Sequence, residues 1–368
     1  MSMSAQSVSS LFDPTRLKIA RQATMITKKE LAHKVGVSPA AMSQYESGNS
    51  SPSAKVTAAL ALALGVPVGF LAKDRSLTQA SSTAAHFRSL RATTQRQRDR
   101  AFAHAVVAWD LANVLQRYVR FPDLSLPTNW GIDSNEPLHV VENIARRTRD
   151  YFDLGLGPLS NVVRVLESRG IVCTRLHADT SRVHAFSCSF PGRPVVVLSE
   201  ERTHLALSRF DAAHELGHLI LHLDEEPGSH AVERQANAFA AEFIAPSSQI
   251  SDLLPRRVPR PAEWNDLLEL KRTWGISLQA LLFRARSLGM LPEHSYRRVM
   301  TIISSNGWRM REPGDIGNAE RPVLLKRAID LAMQHGVSID QIASEVRIPE
   351  MLIRQIACFE ERPLLKLE

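Results

Sequence analysis

At 368 residues the chain is long enough for two or three domains with real cores, and 44% apolar with 23% charged residues is ordinary for a soluble protein. A net charge of +7 and a pI near 9.6 favour a polyanionic partner, most simply nucleic acid. Cys173, Cys188 and Cys358 form no C-x-x-C pair, which excludes a disulfide framework and a cysteine zinc site and makes a reducing cytoplasm the expected compartment. The N-terminus has no charged region followed by an apolar run, and no stretch reaches 18 apolar residues, so neither secretion nor membrane spanning is expected.

Residues 1–12 read as a loose tail. From Pro14 the pattern turns helical, and Thr27 with Glu30 three positions on forms a capping box. Leu31, Ala32 and Val35 make an apolar stripe, Gly36 supplies a turn, and Ser38-Pro39 opens another helix. Two short helices joined in this way are a helix-turn-helix, whose second helix enters the major groove. With Tyr45-Glu46-Ser47-Gly48 and Pro52-Ser53 following at the same spacing, residues 13–75 resemble the Cro/C1-type (XRE) repressor family. The resemblance implies a recognition helix over 38–45, with Ser38, Ala40, Ser43 and Gln44 towards the groove and Met42 in the core. Lys28, where the family often carries Gln, is expected on phosphate. Nine basic residues against four acidic ones over 13–75 suit that role.

Residues 76–85 are small and polar and read as an interdomain linker. A long helical pattern follows over 86–120, with Phe87, Leu90, Phe102, Val106, Trp109, Leu111 and Leu115 as apolar positions. Arg88, Arg91, Arg96, Arg98 and Arg100 cluster in its first half; they read as a solvated helix face, with an extended DNA surface or a grip on an acidic partner as alternatives. Helices are also expected over 136–153 and 158–169. The period then changes, and 171–176, 183–190 and 194–198 read as strands of a small antiparallel sheet. The expected fold is mainly α with a small antiparallel β-sheet, α+β.

Residues 209–223 read at once as a buried helix and as a metal site. Side chains four apart on a helix lie on one face with Cβ atoms about 5–6 Å apart, so His214 and His218 can aim two imidazole nitrogens at one cation. Glu215, turned about 100° from His214, lies beside the ion and can take a proton from a water it activates. Zinc needs a third protein ligand. His222 is about 6 Å beyond His218 along the axis, too far to share a tetrahedral shell with both, and suits a supporting role. Asp224, Glu225 and Glu226 lie in a turn, and His230 sits at a helix start. Glu233 ranks first, because an antiparallel return of the next helix, packed through Ala236, Ala240 and Ala241, brings it back toward His218.

The string His-Glu-Leu-Gly-His-Leu-Ile-Leu-His at 214–222, followed by Glu-Arg-Gln-Ala-Asn-Ala-Phe-Ala-Ala-Glu-Phe-Ile-Ala-Pro at 233–246, resembles the ImmA/IrrE metallopeptidases. That resemblance implies zinc on His214, His218 and Glu233, Glu215 as the catalytic carboxylate, and cytoplasmic cleavage of a helix-turn-helix repressor that frees phage, mobile-element or stress genes; likeness to zinc peptidases with H-E-x-x-H also implies that the last strand, 194–198, lies along the cleft with its edge open to an extended peptide. Gln235 stands where many members carry a second acid. The expected organisation is a DNA-binding domain at 13–75, a peptidase domain at 86–255, a helix-turn-helix-like subdomain at 256–312 that packs beside it, and a C-terminal helical module at 320–368. In the last, Ile342, Ala343, Val346 and Ile348 align with Leu31, Ala32, Val35 and Val37, but Arg347 replaces the turn glycine, which argues against a tight turn there. This module is expected to serve protein contact or homodimerisation.

Two functions fit these residues. One is a DNA-tethered zinc endopeptidase that cuts a repressor or its own linker; the partners are then a double-stranded DNA operator and a protein substrate. The other is a transcriptional repressor or antitoxin-like regulator whose peptidase fold is a non-catalytic sensor or scaffold.

Overall fold

The computed structural model describes residues 4–72, 94–176, 184–222 and 229–359. The expected linker at 76–85, Lys73, Asp74, Arg75, Phe87, Arg88, Leu90, Arg91, Val183 and the acidic turn at 224–226 lie outside them.

The N-terminal module contains α1 (Ala5–Ser10), α2 (Pro14–Ala23), α3 (Lys28–Val35), α4 (Pro39–Ser47) and α5 (Ala54–Leu64), closed by a 3-10 turn at Val68–Leu71. Residues 4–12 are not a loose tail. The Ser4 hydroxyl caps α1, Val8 and Phe12 are four apart and both buried, and Phe12 bridges to Ala72. Thr27 and Glu30 complete the capping box, Gly36 takes the left-handed conformation at φ 71°, and Ser38 caps α4. The helix-turn-helix was legible because each of these signals is local.

Helix α6 (Gln95–Leu115) begins at a Thr94–Gln97 capping box. From Ala101 onward nearly every residue is buried, whereas Arg96 in the first turn is exposed and Arg98 and Arg100 are half-buried. Ala101, Ala103, Ala105, Ala108 and Ala112 let neighbours approach from several sides, as in a helix that is apolar all round. Its charged first turns reach back to the N-terminal module: Arg96 pairs with Glu30 at 3.3 Å, and Arg100 donates to the Met25 sulfur at 3.5 Å. Deeper down, Arg16 of α2 and Asp110 of α6 form a buried ion pair.

After α7 (Leu138–Tyr151) and α8 (Val162–Ser168) come strands β1 (Val172–Leu176), β2 (Ala185–Cys188) and β3 (Val195–Ser199). The sheet is mixed rather than antiparallel, in the order β1-β3-β2: β3 runs parallel to β1 and antiparallel to β2. The run Val195–Leu198 has no polar residue for either face, so it takes the centre; β2, which carries Ser187, takes the edge. The edge strands are therefore β1 and β2, and the last strand, β3, offers no edge. Alternation along the strands divides two cores. Val172, Leu176, Phe186, Val195 and Val197 join α6 and the terminal modules, whereas Cys173, Ala185, Val196 and Leu198 join α7, α8 and the helices that follow.

Those helices are α9 (Leu205–Leu221), α10 (His230–Ile244), the short α11 (Ser247–Ile250), α12 (Glu263–Trp274), α13 (Leu278–Ser287) and α14 (Glu293–Ser305). Helices α12 and α13 meet at Gly275, φ 63°, with Trp274, Ile276 and Leu278 buried in the second core, so this helix-turn-helix-like pair is packed as a structural unit.

The C-terminal module holds α15 (Leu324–Gln334), α16 (Ile339–Val346) and α17 (Glu350–Ile356). Both ends of α16 lie 311 positions beyond those of α3, from 339 − 28 and 346 − 35. The turn glycine is not needed: Arg347 itself adopts φ 62° and caps α16 as Gly36 caps α3, while its guanidinium donates to the Gly69 carbonyl at 3.2 Å. That bond and the burial of Ile348 offset a conformation costing of order 1–3 kcal/mol for a residue with a Cβ. The module packs on α6 within the first core, as the N-terminal module does.

Candidate metal centre

Helix α9 is buried along most of its length, and α10 crosses back over it. Contact is close at Gly217, where a Cβ would lie 3.0 Å from the Phe239 ring. This approach brings the first turn of α10 level with the middle of α9. His214, His218 and Glu233 offer ligand atoms that all lie within 4.8 Å of one another. The two Nε2 atoms are 3.0 Å apart, Glu233 Oε2 is 3.4 Å from His214 Nε2, and Oε1 is 3.5 Å from His218 Nε2. Zinc bonds of about 2.0–2.1 Å at tetrahedral angles place ligand atoms roughly 3.3–3.4 Å apart. Two imidazole nitrogens and one carboxylate at this spacing fit zinc in both chemistry and size.

The surrounding polar groups are ordered. His214 Nδ1 is 3.0 Å from Asn237 Oδ1, and His218 Nδ1 is 3.1 Å from Nδ1 of His222. His222 is wholly buried with its ring nitrogens facing His218 and the Gln235 amide oxygen, neither of them an anion that would hold a charged ring, and burial holds its imidazole below the usual range. Its ring meets the far nitrogen of His218 rather than the ligand cluster, so it lies behind the site. His230 is an exposed residue at the start of α10.

Glu215 faces the sheet. It is 2% exposed and accepts a 2.7 Å hydrogen bond from the Ser187 hydroxyl on β2. Burial pushes its carboxyl up to about 8, against which the Ser187 hydrogen bonds pull down.

On α4 and its cap, Ser38, Ala40, Ser43 and Gln44 are exposed and Met42 is buried. The Ser38 hydroxyl already accepts the Ala41 N–H at 3.1 Å. Lys28 is exposed, with Nζ 3.4 Å from Glu46, a carboxylate whose two oxygens Arg21 also binds.

Three contributors escaped the sequence reading. Asn237 stands four positions after Glu233, on the same face of α10, and helical spacing could have found it. Ser187 is the hydroxyl in an otherwise apolar strand. Gln235 stood out only as a missing acid, although it is buried and bonded to His222.

A His/His/Glu cluster beneath a small mixed sheet, in one chain with an exposed helix-turn-helix, defines a DNA-binding regulator carrying a metallopeptidase-type domain. Residues 17–71 match the family model described as helix-turn-helix, and residues 166–286 match the peptidase-family model described as IrrE N-terminal-like domain. The chain thus joins an XRE-type DNA-binding domain to an ImmA/IrrE-like domain, whose family is of the zinc metallopeptidase type. No curated protein matches it. Among the described residues no helix is long and apolar enough to cross a membrane.

Proposed function

We infer that this chain is a cytoplasmic, DNA-tethered zinc endopeptidase. The helix-turn-helix holds it at an operator, with Lys28 on phosphate and Ser38, Ala40, Ser43 and Gln44 at the groove; a homodimer would span two half-sites. The metal centre then cuts a helix-turn-helix repressor, or the chain's own segment at 76–85, and so releases phage, mobile-element or stress genes. The observation that carries this reading is the convergence of His214, His218 and Glu233 within 4.8 Å. When bound there, zinc supplies Lewis-acid polarisation of a peptide carbonyl and a water acidified to near neutrality. The chain's own groups do the rest. Asn237 orients His214, His222 orients His218, and Glu233 brings the negative charge. Glu215 takes the proton of the attacking water once its carboxylate is ionised, and Ser187 holds that carboxylate in place.

The seclusion of Glu215 favours a second reading. It is 2% exposed and its carboxylate is engaged by the Ser187 hydroxyl on the sheet, which suits a repressor or antitoxin-like regulator whose peptidase fold is a non-catalytic sensor or scaffold. Incubating the full chain and its Glu215→Gln variant with zinc and candidate repressors separates the two. Cleavage by the parent and not by the variant supports the endopeptidase; operator binding by both with no Glu215-dependent cleavage supports the scaffold.

A further inference from the structure

We propose that Gln235 and His222 are positioning residues that hold His218 in one tautomer, with Nδ1 protonated and Nε2 bare, so that the metal centre is set for a cation before one arrives. This rests on the reading of His214, His218 and Glu233 as ligands. Two backbone carbonyls, which can only accept, set the direction of the first hydrogen bonds. Asp133 O and Glu136 O lie 3.0 and 3.1 Å from Gln235 Nε2, so both amide protons of Gln235 are directed at them. Its oxygen then faces His222 Nε2 at 3.0 Å, and because an amide oxygen only accepts, His222 Nε2 carries the proton. A neutral imidazole has one N–H, so His222 Nδ1 is a lone pair. It lies 3.1 Å from His218 Nδ1, which must therefore be the donor. That leaves His218 Nε2 bare, and it is this nitrogen that faces His214 Nε2 at 3.0 Å and Glu233 at 3.5 Å.

The anchor is itself tied to the metal helix. Ile132 N–H donates to the Leu221 carbonyl at 3.0 Å, so the loop holding Asp133 is fixed to the end of α9. His222 is fully buried and Gln235 is 1% exposed, so water does not compete for either hydrogen bond. The bonds described use every donor and acceptor of one neutral imidazole at His222 and both amide protons of Gln235. A ligand locked in the binding tautomer loses no protonation equilibrium when the ion enters, and partners of this kind typically contribute 10–100-fold in metal affinity.

The test uses the full-length protein. In the metal-free parent, ring-nitrogen NMR shifts should show His218 protonated at Nδ1 and bare at Nε2; a His218 protonated at Nε2 overturns the proposal whatever any variant does. Zinc affinity is then measured by chelator competition for the parent, Gln235→Leu, His222→Leu and Thr148→Val, the last a control that loses a buried hydrogen bond to Ile144 elsewhere in the same core. Gln235→Leu and His222→Leu are expected to bind zinc 10–100-fold more weakly, with mixed His218 tautomers, while Thr148→Val binds as the parent does. Equal zinc affinity in all four, or equal weakening in Thr148→Val, refutes the positioning role. A parent with the expected tautomer that binds no zinc refutes the metal reading, and the proposal with it.

Discussion

The joint between the DNA-binding module and the rest of the chain contains one buried ion pair whose removal should be costly. Arg16 donates to both oxygens of Asp110, at 2.5 and 3.3 Å, and the two residues are 4% and 7% exposed. The Arg16 guanidinium also lies 5.2 Å from the centre of the Phe70 ring, so it is enclosed by α2, α6 and the 3-10 turn. Asp110→Ala leaves that cation buried without its counter-ion, and breaking a buried pair in this way costs about 3–5 kcal/mol. A domain's total stability is only about 5–15 kcal/mol, so the loss is large enough to detach the module. The paired change Arg16→Met with Asp110→Leu removes both charges, and such replacements by apolar residues are often neutral or stabilising. Urea unfolding of the full chain gives the free energies, and hydrogen exchange over α2 to α5 shows where the loss falls. Trp109 is a suitable probe, since its ring donates to the Pro191 carbonyl and stacks on Phe190 beside the joint. If Asp110→Ala costs less than about 1 kcal/mol, the level of an exposed pair, or if the paired change is as damaging as the single one, the buried-charge reasoning is wrong.

Glu167 is buried, accepts the Val323 and Leu324 N–H groups at 2.8 Å, and has its carboxyl pushed up from 4.5 to about 7 by burial. The folded chain therefore holds an extra proton between those values. The stabilisation present below pH 4.5 is lost as pH rises through about 7, with a slope of at most ~1.4 kcal/mol per pH unit, and Glu167→Gln should flatten that part of the urea-unfolding profile. Gly217→Ala gains roughly 1 kcal/mol of helix propensity but crowds the Phe239 ring, and a net loss of roughly 1 kcal/mol is expected. Because Phe239 and Glu233 share α10, zinc affinity measured by chelator competition should fall with it; a stabilised variant with unchanged affinity contradicts this packing. Lys28→Ala should weaken operator binding evenly across sequences and reduce the salt slope by about one, measured by fluorescence anisotropy at several salt concentrations. An unchanged slope would mean that Glu46 already holds Lys28 away from phosphate.

What could be read from residues alone was whatever depends on neighbours a few positions away. The caps at Thr27 and Ser38, the left-handed Gly36 and the one-face pairing of His214 with His218 are set by helical geometry, which is local and periodic. Glu233 was within reach because a short connection between two helices favours an antiparallel return. Strand order was not, because it depends on which run is apolar on both faces and which neighbours then cover it; Val195–Leu198 moved to the centre and left Ser187 on the edge, against Glu215. Arg347 was misjudged for a related reason, since its left-handed backbone is held by a carbonyl 278 positions away in sequence. The protonation of His218 likewise follows from Asp133 and Glu136, whose carbonyls no spacing rule connects to the metal helix. Sequence determined which residues could bind a metal and which helix could enter DNA, because those are properties of single elements. Tertiary structure decided how far Glu215 is sealed from water and how the DNA-binding module is locked to the rest, because desolvation and buried charge depend on everything packed around a group.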